Sequence, residues 1–446
     1  MQFGPPLPSV VPARHGHSIT LNRRTDMTPR RLRPLRAITL VALIALGSAG
    51  AHRAGANAIT DWNNITTDTI LGALPAERGS LSIDFPMVHI AMFDAVNAID
   101  RRYTTYIGRP TTDPHGASQE AAAIAAAYTV LRGNIPSRRA QLDASYASSL
   151  AALPAGAGRD RGVAVGAEVG TAVLAWRAND GRLSPVAPYI PGSEAGAYQL
   201  TPPAFAAPIN GFLPGVRPFA LLRASQFRAY GPPALGSERF ARDFNETKRL
   251  GALNSTERTA AQTETARFYT ENPTTYWARN LGTFVAARNL APTDQARALA
   301  QLWVSLGDAS IGCFESKYTY NFWRPITAIQ TSLDDGNPDT ATDAGWTPLA
   351  ATPPHPEYPA AHGCATGAVA ETIQRIFGAE THVVFTSTVA GTVPHEFFQT
   401  DAMVEEVIDA RVYGGMHYRT SGVHGVRLGR QIAAWVAEHH FRRVKD

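Results

Sequence analysis

Between residues 85 and 99 the spacing of Met87, Ile90, Ala91 and Asp94-Ala95 is that of one face of a helix, which predicts a helix with one buried side. Alanine-rich, strongly helix-prone stretches follow at 118–131, 138–152 and 161–178, and together they predict a first helical bundle. From 181 to 233 the chain turns rich in proline, glycine and aromatics and loses its period. That change predicts a long irregular segment crossing the bundle surface, of the kind that often carries function. Periodicity then returns. Ser237 is placed to cap a helix through Leu250, Ser255 another through Tyr269, and Thr293 the long alanine-rich helix that reaches Lys317. Glu271-Asn-Pro-Thr-Thr-Tyr-Trp277 reads as a kink, and 332–356 as a loop. Further helices are expected at 360–377, 401–413 and 423–441, and there is no repeat of 20 to 50 residues.

A chain of 446 residues, 44% of them hydrophobic, can bury a large core in one or two domains. Its pI of about 9.1 would suit a nucleic-acid or membrane partner, so the position of the basic residues matters. Residues 1–56 hold eight arginines and one aspartate, which leaves 33 basic against 36 acidic residues in the remainder. The excess positive charge belongs to a leader, and nucleic-acid binding loses its support. Arg30, Arg31, Arg33 and Arg36 precede an apolar run from Ala37 to Ala51 and then the small residues Ala54-Gly55-Ala56. This is the layout of a signal peptide over about 27–56, preceded by a stretch with no expected structure. The run is short for a permanent membrane span, so an exported, periplasmic or secreted protein is expected. Arg30-Arg31 resembles a twin-arginine export signal. The expected organisation is leader 1–56, N-terminal helical region 57–233 and C-terminal bundle 234–446. The two cysteines, Cys313 and Cys364, could pair or stay as buried thiols, and sequence alone leaves both open.

Candidate chemistry begins at Lys317-Tyr-Thr-Tyr-Asn-Phe-Trp-Arg324-Pro325. The chain uses only three lysines, Lys248, Lys317 and Lys445, and one of them lies among these aromatics. On one helix, Lys317 and Arg324 would share a face about 10 Å apart along the axis and could converge on a small anion. Pro325 disfavours helix at Arg324, so the helix is expected to end there with Arg324 reaching in from its frayed end. The competing reading is a helix end whose basic residues complement its dipole. Two later stretches favour the anion. In His355-Pro-Glu-Tyr-Pro-Ala-Ala-His362, Pro359 precedes a small-residue helix start that offers free N–H groups. In Arg411-Val-Tyr-Gly-Gly-Met-His417-Tyr-Arg-Thr-Ser421, the glycine pair can break a helix so that Arg411 and His417 meet at one point.

These three stretches resemble the signature shared by vanadium-dependent haloperoxidases and type 2 phosphatidic acid phosphatases: Lys, six residues, Arg-Pro; Pro-Ser-Gly-His; Ser-Arg, five residues, His, three residues, Asp. Every spacing is kept here. The departures are Ala360 for serine, Ala361 for glycine, Ala410 for serine and Ser421 for aspartate. Ala360 removes a hydroxyl donor, while backbone donors there would remain; Ser421 leaves the terminal histidine without an identified orienting acid. The segments Met87–Asn97, Arg217-Pro218-Phe219, Gln226-Phe227, Gly231–Leu235 and Asn245-Glu246 also resemble bacterial proteins of the haloperoxidase branch.

The resemblance implies an all-α fold of helical bundles with a vanadate or phosphate site in the core of the C-terminal one. It implies Lys317, Arg324, Arg411 and the backbone at Ala360 and Ala361 as oxyanion holders. His417 becomes the vanadate ligand, or the phosphorylated nucleophile of a phosphatase, with His362 as acid/base opposite. Guanidinium forks suit paired oxygens, and one cage serves both reactions because vanadate imitates the phosphoryl transition state. In the haloperoxidase reading, hydrogen peroxide is activated electrostatically, with Lys317 assisting, for attack by halide. At His355 the chain resembles bromoperoxidases more than chloroperoxidases, which favours bromide. Partners would be peroxide, halide and a small organic substrate, or a phosphate ester for a small-ester acid phosphatase. A third possibility, opened by Ala360 and Ser421, is an inactive helical binding protein. Other metal motifs are weak: His395-Glu396-Phe-Phe-Gln399 lacks the second histidine of a zinc-protease helix.

Overall fold

The structure, a computed structural model, describes residues 57–331 and 335–444. The leader expected over 1–56 lies outside them. The chain runs through α1 (Ala58–Leu71), α2 (Leu81–Asp100), α3 (Gln119–Asn134), α4 (Arg139–Ala151) and α5 (Ala157–Arg177). After the crossing segment come α6 (Glu238–Gly251), α7 (Ala260–Phe268), α8 (Pro273–Ala286), α9 (Pro292–Tyr320) and α10 (Pro325–Gln330). The last part holds α11 (Ala361–Phe377), α12 (Thr400–Tyr413) and α13 (Arg419–His439). The fold is all-α. The exception among the described residues is an antiparallel pair, β1 (Val383–Phe385) and β2 (His395–Phe397), with Val384 opposite Glu396.

The described residues form one compact unit, and one apolar core runs from α1 to α13. Its axis is α2 against α9, where Phe85 stacks on Trp303 with ring centroids 4.1 Å apart. The expectation of one buried face on α2 was too narrow. Every residue from Ser82 to Ala98 is buried, because α1, α3, α5 and α9 surround it.

Helix starts follow local hydrogen bonding. Ser118 and Ser237 cap α3 and α6 as expected, accepting from Ala121 N and Phe240 N. Ser255 does not start α7. Its hydroxyl donates to Arg249 O and accepts from Arg258 N in the preceding turn, and Thr259 with Gln262 forms the capping box. Thr293 does not cap α9 either; it lies inside a helix that Pro292 opens, and its hydroxyl goes to Asp100 at 2.7 Å. Residues 271–277 are a break rather than a kink, with Asn272 capping α8. Sequence patterning missed α1, α8 and the short α10. In α1 part of the buried face is polar: Thr60, Asn63, Thr66 and Thr69.

The crossing segment is irregular, apart from a single 3-10 turn at Leu213–Gly215, and it is tied down at buried charges. Asp308 of α9 accepts from the N–H groups of Phe219, Ala220 and Leu221 at 2.7, 2.7 and 2.9 Å. Arg177, paired with Asp180 at 2.7 Å, donates to Pro218 O. Such charge-assisted bonds satisfy backbone that has no ladder to join.

Helices α11 and α13 lie unusually close. A Cβ at Gly429 would fall 2.1 Å from Cys364 O, and one at Gly425 would fall 2.6 Å from Ala360 O, so only glycine permits this approach. A disulfide between Cys313 and Cys364 ties α11 to α9, settling the question that sequence left open. Among the described residues no helix is long and apolar enough to cross a membrane.

The bridge closes a loop with a sequence separation of 51. By loop entropy, replacing both cysteines with serine should cost about 4 kcal/mol of unfolding free energy, measured by denaturant titration of oxidised wild type against the double variant.

Candidate active site

Lys317 occupies the last turn of α9. The helix ends at Asn321, which adopts φ 47° and returns its N–H to Lys317 O at 2.8 Å. Phe322 and Trp323 bury their rings, and Arg324 sits in extended conformation immediately before α10. This corrects the expectation for that stretch: Lys317 and Arg324 share no helix, and Arg324 hangs from no frayed end. Pro325 separates two helices and turns the arginine inward.

Arg411 and His417 flank the turn between α12 and α13. Gly415, at φ 72°, reverses the chain so that the N–H groups of Met416 and His417 both return to Arg411 O, at 3.2 and 3.3 Å. Helix α13 then starts at Arg419, four residues before the expected start, which leaves His417 outside it. His362 is the second residue of α11.

These elements converge. Arg324 Nη1 lies 3.1 Å from His417 Nε2 and also donates to Met416 O. Its Nε and Nη2 donate to the carbonyls of His355 and Pro353, and Nη2 lies 2.9 Å from His355 Nδ1. Lys317 Nζ donates to Pro356 O and Glu357 O, both at 2.9 Å. Arg411 Nη1 donates to Tyr269 O at 2.5 Å and Nη2 to Met416 Sδ at 3.1 Å.

A cavity of about 500 Å³ opens onto this cluster. His355, Ala361, His362, Arg411 and His417 line it, together with Met416 and Phe314. Lys317, Arg324 and Ala360 do not. The ammonium of Lys317 is turned to carbonyl oxygens of the 355–357 segment, and the Ala360 N–H is taken by Ser421 O at 3.0 Å. Ile209 and Asn210 bring the crossing segment to the cavity wall, and Thr270–Pro273 bring the α7–α8 break to it.

The hydrogen bonds assign the tautomers of the two catalytic candidates. His362 Nε2 donates to Glu271 O at 3.0 Å, so Nδ1 is its basic nitrogen. His417 Nδ1 donates to Glu357 Oε1 at 2.8 Å, so its lone pair is on Nε2. Sequence reasoning assigned Glu357 no role. The signal was the vacancy at Ser421, which called for a search for another acid within the motif stretches.

Buried positive charge dominates the electrostatics. Burial, reinforced by Arg324, lowers Arg411 to about 9, and burial lowers Arg324 to about 10. Lys317 is pushed well below its ordinary value by burial and then by Arg324. All three histidines are held well below 6.5 by burial first; Arg324 is the next cause for His417, Arg411 for His362 and Lys317 for His355. Burial pushes Glu357 up to about 7, against the pull of the Ser421 hydroxyl, Arg324 and Lys317.

A tetrahedral oxyanion fits this donor set. Three buried cations meet one carboxylate, and Arg411 Nε is buried with no protein partner. The first two residues of α11, Ala361 and His362, bring the positive end of that helix to the cavity. The other histidines are placed elsewhere. His424 meets the Tyr358 hydroxyl at 2.6 Å, and His395 bridges Glu264 and Glu406 at 3.0 and 2.7 Å. Among the described residues no group of three or more metal-ligating side chains is present.

Comparison with known proteins agrees with this reading of the fold. Residues 297–446 match the family model of the VCPO second helical-bundle domain. Over 94 residues the chain is 34% identical to the vanadium chloroperoxidase of Curvularia inaequalis; the match spans 19% of this chain and only 15% of that protein. The crystal structure of a bacterial vanadium-dependent iodoperoxidase superposes with a TM-score of 0.72 at 25% identity, covering 87% of this chain and 97% of the other. The apo form of a bacterial vanadium-dependent chloroperoxidase, 14% identical, shares the fold at a TM-score of 0.62 over 80% of this chain and 91% of its own.

The depressed histidines set a pH dependence. A histidine whose folded pKa lies below its unfolded value of about 6.5 contributes stability in full above that value and loses it as pH falls toward the folded pKa. The stability of wild type relative to His362→Gln should therefore decline between pH 7 and pH 5, as read from melting temperatures of the two proteins across that range.

Proposed function

From the premise that the chain is a vanadium-haloperoxidase-like protein, we propose that it is an exported vanadium-dependent haloperoxidase. It oxidises halide, bromide in preference, with hydrogen peroxide. What supports the reading is that Lys317, Arg324, His362, Arg411 and His417, which come from separated segments, lie in one small region where His417 Nε2 is unprotonated and accepts from Arg324.

His417 would hold vanadate through Nε2 once Arg324 Nη1, which donates to that nitrogen, turns to the oxyanion instead. Arg411 would donate from its Nε, Ala361 from its backbone N–H, and Arg324 and Lys317 would add positive charge from beneath. Vanadate bound there supplies Lewis-acid polarisation of peroxide. His362, kept neutral by burial and by Arg411, would become more basic once an anion offsets Arg411, and its Nδ1 could then take the peroxide proton. The apolar side of the cavity, with Phe314, Ile209 and Pro353, excludes water and admits a small organic acceptor. Bromide preference rests on His355, whose ring lines the cavity beside Arg324. Export rests on the leader, and N-terminal sequencing of the mature protein tests it.

Bromide-dependent halogenation should appear only after orthovanadate is added to the apo protein, and it should exceed chloride turnover under the same conditions. His417→Ala should abolish it, and His362→Ala should lower kcat about 10²- to 10⁴-fold. Hydrolysis of a chromogenic phosphate ester, inhibited by vanadate, would replace this reading with a phosphatase working through phospho-His417. Neither activity, with no vanadate bound, would leave an inactive helical binding protein.

A further inference from the structure

The motif that this chain resembles places an acid four residues after its terminal histidine, and here that position is Ser421. The carboxylate that meets His417 comes instead from the other side of the cluster. Glu357 is fully buried, and all its side-chain bonds go to one turn of chain. Oε1 accepts from His417 Nδ1 at 2.8 Å and from Tyr418 N at 3.0 Å, and Oε2 accepts from Ser421 Oγ at 2.6 Å. Ser421 is itself buried in the first turn of α13, and its carbonyl receives the Ala360 N–H.

We propose that the acid orienting His417 has moved in this chain from position 421 to Glu357, and that Ser421 has become the anchor of the moved carboxylate. Glu357 is then a positioning residue, acting through His417 rather than on substrate. The inference rests on the site reading given above for His417.

Three physical points carry it. A buried carboxylate is costly unless its lone pairs are used, and those of Glu357 are used on the imidazole and on the two groups that hold the carboxylate against it. The bond at Nδ1, with the Arg324 N–H at Nε2, selects the tautomer with its lone pair on Nε2, and the carboxylate strengthens that nitrogen as a ligand, the usual task of an outer carboxylate. The main chain of Glu357 also accepts from Lys317 Nζ, so the residue that orients the histidine holds a cation of the same cage. A serine at 421 is what such an exchange requires. An aspartate there would put a second carboxylate against the first, at the 2.6 Å contact that the hydroxyl now makes.

Exchange makes a signed prediction that a merely structural glutamate does not. Glu357→Gln keeps the shape and removes the charge, and should weaken orthovanadate binding to the apo protein about 10- to 100-fold. Ser421→Asp alone should also weaken binding, by like-charge repulsion. The double variant Glu357→Gln/Ser421→Asp should bind more tightly than either single variant. Calorimetric titration with orthovanadate reads all four proteins, and circular dichroism checks that each is folded. Proton NMR adds a readout that needs no vanadate: the His417 Nδ1 proton should resonate far downfield in wild type, as one held by a carboxylate, and move upfield in Glu357→Gln. If the Nδ1 proton shift and the affinity are unchanged in Glu357→Gln, or if a folded double variant binds no better than the singles, the exchange is refuted. If wild type binds no vanadate, the haloperoxidase reading falls and the Nδ1 proton shift alone decides this inference.

Discussion

Burying three cations close together is the constraint around which this protein is built. Lys317, Arg324 and Arg411 are almost wholly removed from water, and the buried carboxylate of Glu357 shares their space. Burial of like charges at short range is expensive unless fixed dipoles replace the lost solvent. The chain supplies them as main-chain carbonyls: Pro353, His355, Pro356, Glu357 and Met416 accept from Lys317 and Arg324, and Tyr269 accepts from Arg411. The segment 353–357 therefore cannot be helical. Its carbonyls have to point at the cations rather than along a helix axis.

The rest of the architecture holds that arrangement still. Glycines on α13 let α11 approach to backbone contact, and the bridge between Cys313 and Cys364 fixes α11 against the helix that carries Lys317. Buried Asp308 draws the crossing segment onto α9, and the same segment supplies Ile209 and Asn210 to the cavity. A site held by side chains from several segments depends on such rigid supports, because a small displacement of any one donor weakens the whole cage.

The same electrostatics connect structure to chemistry. Burial first, and the neighbouring cations after it, keep His362 and His417 neutral, so one retains a basic Nδ1 and the other an Nε2 lone pair that accepts from Arg324. An oxyanion entering the cavity would offset the cations' share of that depression, and in the proposed reading acid/base competence arrives together with the ligand. Selectivity for an anion and readiness for proton transfer thus share one cause.

Local patterning determined much of this by itself. Alanine-rich and apolar-periodic stretches located most helices, because a buried helical face has to repeat at helical spacing. The glycine pair at 414–415 marked the break before His417. Motif spacing singled out Lys317, Arg324, His362, Arg411 and His417, since an anion cage needs those residue types whatever holds them. Tertiary structure decided the rest. Thr60, Asn63, Thr66 and Thr69 interrupt the apolar period of Ile59, Trp62 and Ile70 on the inner face of α1, and Thr259 won the α7 cap from Ser255 through a reciprocal bond with Gln262. The turning of Lys317 toward carbonyls, and the partnership of Glu357 with His417 across 60 positions, rest on long-range proximity. A carboxylate's partner is chosen by distance in space, and no local pattern encodes that distance.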